Sequence, residues 1–121
     1  MQKVLGVGGV FFRSSDPPAL ARWYETHLGV APVPSEDGGA PWATEAGVTV
    51  FAPFAADTDY FPKDRAFMVN FRVADLDAML AQLRSAGIEA SHHEVMEGVG
   101  RFARVHDPEG NPIELWEPAK T

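Results

Sequence analysis

Glu114 has the residue type and setting in this chain best suited to chemistry. It lies in HDPEGNPIELWEP, His106 to Pro118. Asp107, Pro108, Gly110 and Asn111 are turn formers, and beyond them apolar Ile113 and Leu115 alternate with Glu114 and Trp116. A strand's period of two puts Glu114 and Trp116 on one face. There the carboxylate could be a metal ligand, a general base or a hydrogen-bond acceptor for a ligand; a solvated strand charge is the plain alternative. Arg13 and Arg72 occupy matching places in the two halves of the chain. A guanidinium clamps carboxylate or phosphate in a bidentate way, although ion pairs or solvated heads at strand ends are the simpler reading. His92 and His93 are adjacent and must point to opposite faces of a strand. Neither they nor His27 and His106 are spaced so as to converge, and ordinary polar roles are expected for all four. With no cysteine, a thiolate zinc site, a disulfide framework and a cysteine nucleophile are excluded. Gly6 to Gly9 lacks the strand before and helix after that a dinucleotide loop needs.

Two copies of one pattern must position these residues. GGVFFRSSDPPALARWYETHLGV, Gly8 to Val30, is repeated loosely by FMVNFRVADLDAMLAQLRSAGI, Phe67 to Ile88. Each copy reads as a strand, an Asp and a helix ended by glycine. Asp16 and Asp75 are N-caps, and Pro17 suits a first helical position. Leu76, Met79, Leu80 and Leu83 recur at helical spacing, and Gly29 and Gly87 suit left-handed C-terminal positions. The halves also end alike, in VTVFAPF (Val48 to Phe54) and PIELWEP (Pro112 to Pro118). Parity assigns Val10, Phe12, Val69, Phe71, Ile113 and Leu115 to the helix side. The opposite face then carries Phe11, Arg13, Thr49, Phe51, Met68, Asn70, Arg72, Glu114 and Trp116. Aromatic groups mixed with a few polar ones suit a concave ligand surface. Of Arg101 and Arg104, only one can join it. Less certain strands are expected at residues 41–44, 89–94 and 101–106. Tyr60 and Phe61, in the connection, could cover the cavity mouth, seal the second core or make a dimer contact.

The chain has 121 residues, is 45% hydrophobic and 22% charged, and carries a net charge of −7. Its length suits one domain with one core. The acidic balance argues against nucleic acid, and no apolar run can span a bilayer. A cytoplasmic protein is the expectation.

DPEGNPIELWEP, the repeated strand–Asp–helix–Gly pattern and the length resemble the vicinal oxygen chelate superfamily. That group includes glyoxalase I, extradiol dioxygenases, fosfomycin-resistance enzymes and bleomycin-resistance binding proteins. The resemblance implies an α+β fold of two βαβββ modules, forming a curved mixed sheet around a central cavity with helices outside. Module one would span about 1–54, the connection about 55–65 and module two about 66–121. A homodimer is implied as well. In metal-dependent members four inward positions hold the ion; here they are Gly9, Thr49, Met68 and Glu114, and only Glu114 matches. About three protein ligands are needed at a catalytic divalent site. The expectation is therefore a metal-free aromatic cavity binding a small molecule, with no cofactor. The alternative is a metal-dependent lyase, isomerase or dioxygenase using Glu114 with other ligands. An interaction module with a filled cavity is a third reading.

Overall fold

The computed structural model describes residues 1–120. Helix α1 spans Pro17–Leu28, followed by β1 (Val69–Arg72), α2 (Leu76–Ser85), β2 (Ser91–Met96), β3 (Gly100–His106) and β4 (Pro112–Pro118). Both helices begin as their caps dictate. The Asp16 carboxylate accepts from the Ala19 amide at 3.2 Å, and that of Asp75 from Ala78 at 3.0 Å. Gly29 ends α1 at φ 71°. Past α2, Gly87 takes φ 82°, and the Ile88 amide reaches back to the Leu83 carbonyl at 2.9 Å.

The sheet order is β1-β4-β3-β2. Strand β1 runs parallel to β4, which pairs antiparallel with β3, and β3 with β2. The fold is α+β, and β1-α2-β2-β3-β4 forms one βαβββ unit. Leu76 and Leu83 of α2 pack on Ala103, Val105, Ile113 and Leu115 of the sheet, all buried. Trp23, Tyr24 and Leu28 of α1 pack against the same cluster, so both helices cover one sheet face. The other face is left for Glu114 and its neighbours, as strand parity requires. No helix among the described residues is long and apolar enough to cross a membrane.

The first half differs from the expectation. It supplies α1 and no strand of the sheet, so the four-stranded sheet comes from residues 69–118 alone. Among the described residues, no backbone–backbone hydrogen bond involves residues 1–13 or 40–54. The expected strands at Val48–Phe54 and residues 41–44, and the one leading to Arg13, are therefore not formed. The physical reason is the lack of a neighbour. A strand needs a ladder partner and cover for its apolar face, and here Phe11 is 92% and Phe51 87% exposed.

Candidate functional site

The sheet face opposite the helices brings Asn70, Arg72, Glu114 and Trp116 together. Asn70 stands opposite Glu114, and Arg72 opposite Trp116. The Asn70 amide Nδ2 donates to Glu114 Oε1 at 2.8 Å. Trp116, buried, donates from its indole N–H to the Val99 carbonyl at 2.9 Å. Its ring lies parallel to Phe102, with an interplanar angle of 3° and centroids 6.0 Å apart. Gly100 permits this seat: a Cβ there would meet the indole nitrogen at 2.6 Å, and its φ of 140° disfavours other residues. Arg72 turns away from Glu114, and its guanidinium donates to the Glu45 carbonyl at 2.7 Å and the Ala46 carbonyl at 3.4 Å. It crosses Gly47 so closely that any side chain there would displace it. Met68 is half-buried just before β1.

Phe11, Arg13, Thr49 and Phe51 do not join this group. Thr49 and Phe51 are exposed in the unpaired first half. Phe11 and Arg13 instead border a separate hollow of about 420 Å³ with Tyr24, Arg65, Phe67 and Asn111. Within one chain, the nine-residue face is therefore divided.

Three other groups complete the site. Arg104, only 4% exposed, pairs in register with Glu114 and shares its face, while Arg101 points to the helix side and meets Asp77 at 2.7 Å. The alternation was a usable signal: with Ala103 and Val105 in the core, Phe102 and Arg104 must lie opposite. Tyr60 arrives from the connection. Its hydroxyl donates to Glu114 Oε2, its ring lies 5.2 Å from the Arg104 guanidinium carbon, and its carbonyl accepts from Arg104. Nothing local in the sequence fixes that reach. His92 is the third group. A register irregularity between Ser91 and Glu94, with His92 at φ 53°, brings its ring to 3.5 Å from Arg104. His93 borders a different hollow beside Leu80 and Arg84.

These contacts shape the electrostatics. Burial, followed by the hydrogen bond and charge of Glu114, pushes the Tyr60 phenol up to about 12. It therefore stays a hydrogen-bond donor at neutral pH. Partial burial and the nearby Arg104 and His92 push His106 below the ordinary histidine value. Both Glu114 oxygens already accept from a donor, so a ligand must share them or replace Tyr60.

The divalent ion implied by the metal-dependent alternative does not fit this donor set. Glu114 faces an amide donor, a hydroxyl donor and the cation Arg104 rather than further lone pairs. Gly9 has no side chain, Thr49 offers at best a weak hydroxyl ligand, and Met68 offers only a soft thioether. Among the described residues no three His, Cys, Asp or Glu side chains are grouped to hold a metal ion.

The turn before β4 also connects the halves. Asp107, 4% exposed, accepts from the Tyr24 hydroxyl and from Asn111 Nδ2, each at 2.7 Å, and from the amides of Glu109 and Asn111. Burial, followed by this contact, pushes the Tyr24 phenol strongly up.

The profile described as Glyoxalase-like domain matches residues 9–116. No curated protein matches the chain. Among solved structures, TnmS3, an antibiotic binding protein from Streptomyces sp. CB03234, is 25% identical with a TM-score of 0.56, over 87% of this chain and 88% of that one. A lactoylglutathione lyase from Agrobacterium tumefaciens is 16% identical with a TM-score of 0.62, over 96% of each chain. A glyoxylase/bleomycin resistance protein/dioxygenase domain from Frankia sp. EAN1pec is 18% identical with a TM-score of 0.61, over 97% and 100%. The last two likenesses concern the fold alone.

Proposed function

The chain belongs to the glyoxalase-like domain family, and on that basis we propose that it is a metal-free binding protein for an aromatic small molecule, held on the Glu114 face. The observation that carries this reading is the composition of that face. The parallel Trp116 and Phe102 rings lie beside Glu114, Asn70 and Tyr60, whose polar atoms can fix a ligand's orientation. The antibiotic binding protein among the similar structures supports the same class of function.

The binding unit is a homodimer. The chain exposes 9255 Å². A folded monomer of its 13.2 kDa mass would expose about 6,400 Å² by the usual mass scaling, leaving about 2,800 Å² in excess. Val10, Phe11, Val48, Val50 and Phe51 are all exposed in the first half. A second copy that pairs with these segments would cover them and close the cavity. In that assembly Thr49 and Phe51 return to the Glu114 face.

The test is a titration of tryptophan fluorescence with a library of fused-ring aromatic compounds, in chelator and then with Mn, Ni or Zn. Saturable quenching in chelator, lost in Trp116→Phe, is expected. Binding only after metal addition would overturn the reading.

A further inference from the structure

Tyr60 makes three contacts on the proposed site at once. One end of the residue donates a hydroxyl to Glu114, its ring lies over Arg104, and its other end presents an acceptor oxygen to Arg104. A free small molecule with the same three groups would satisfy the same partners. Tyr60 belongs to the connection rather than to an element, and it is itself 36% exposed. It is thus placed to leave without unpacking the core.

Arg104 indicates what is missing. It is 4% exposed, its Nε–H is buried without a hydrogen-bond partner, and among the described residues no carboxylate lies within ion-pairing distance. Arg101, on the other sheet face, has both Asp77 and Glu117. A buried cation whose partners are a carbonyl, an aromatic face and an imidazole, with no anion among them, is costly, because attraction to an anion normally offsets its desolvation. In a chain of net charge −7, such a cation is a strong local exception. Burial first, and then the nearby Arg104 and His92, push His106 below the ordinary histidine value.

We infer that Tyr60 is an internal stand-in for the ligand, and that the ligand is a hydroxylated aromatic carrying an anionic oxygen group. The anion takes the place of the Tyr60 carbonyl on Arg104, the ring lies over the guanidinium, and the hydroxyl donates to Glu114. This rests on the binding-protein reading and narrows its ligand class.

Four probes test it by calorimetry: 6-hydroxy-2-naphthoate, its carboxamide, its 6-methoxy ether and the corresponding aminomethyl cation. The hydroxy acid is expected to bind at least tenfold more tightly than each of the others. Tyr60→Ala removes the competitor and is expected to tighten hydroxy-acid binding severalfold. Glu114→Gln, at a half-buried position, is expected to narrow the gap between hydroxyl and methoxy; Arg104→Met tests the anion if that variant folds. Equal binding of the four probes, preference for the cation, or weaker binding in Tyr60→Ala would overturn the inference while leaving an aromatic-binding protein. If none of the four binds but another aromatic compound does, the inference likewise fails alone. If no aromatic compound binds, the parent reading falls with it.

Discussion

Phe51→Glu tests whether a second copy completes the molecule. In the single chain Phe51 is 87% exposed, so its replacement removes almost nothing that one chain buries by itself. In the proposed dimer the ring would be buried, and losing that burial would cost about 1.5–3 kcal/mol. A carboxylate taken from water without a partner adds roughly another 2–3 kcal/mol after relaxation. Two-fold symmetry doubles the effect, to about 7–12 kcal/mol per dimer, or at least a hundred-thousandfold in dissociation constant. The excess of about 2,800 Å² on each chain corresponds to an interface in the large, obligate range. Sedimentation velocity between about 1 and 100 µM provides the readout. The native protein is expected to remain dimeric across that range, and Phe51→Glu to be monomeric with its α2 core still folded by circular dichroism. A native monomer, or a Phe51→Glu dimer as tight as the parent, would refute the reasoning.

Other consequences are more local. Asp107→Ala strands the Tyr24 hydroxyl and the donors of Glu109 and Asn111, and is expected to lower stability by about 3–5 kcal/mol in urea melts. Tyr24→Phe removes one of these bonds and is expected to cost about 1.5–3 kcal/mol. The chain has only two tyrosines, and the pKa of each is raised in the fold. The stability this linkage contributes is complete below the unfolded value of about 10 and is lost as pH rises through the folded values. Absorbance near 295 nm at about pH 10.5 should therefore show tyrosinate in urea but little in the native protein. Gly47→Val is expected to unseat Arg72 with little loss of stability, because both lie at an exposed site. The shift of the Arg72 side-chain NMR signal measures this.

The second half of the fold was largely legible because several local signals agree there. Asp75 caps, Leu76 and Leu83 share a helix face, and Ile113 and Leu115 alternate with Glu114 and Trp116; the same parity separates Arg104 from Arg101. Pattern put Asn70 and Glu114 on one sheet face, and the parallel pairing of β1 with β4 sets them side by side. The first half was legible as a tendency only. Alternation of Val48 and Val50 with Thr49 and Phe51 specifies a strand without specifying its partner, and the single chain provides none. The position of Tyr60 in the connection suits a cover for the cavity, but its reach to Glu114 depends on the path of an irregular segment. Asp107 reads as a turn former; its hydrogen bond with Tyr24 joins residues too distant in sequence for periodicity to register. The displacement of His92 required a backbone irregularity in β2 that alternation alone does not encode.

Metal content, measured on the same sample as ligand affinity, tests the central claim most directly. Protein prepared without a histidine tag would be dialysed against each divalent ion, analysed for retained metal, and titrated with the tightest aromatic ligand before and after chelation. No retained ion and unchanged affinity are expected, because Glu114 is already held by Asn70 and Tyr60. One tightly held ion per chain, with binding lost on chelation and restored by metal, would contradict it.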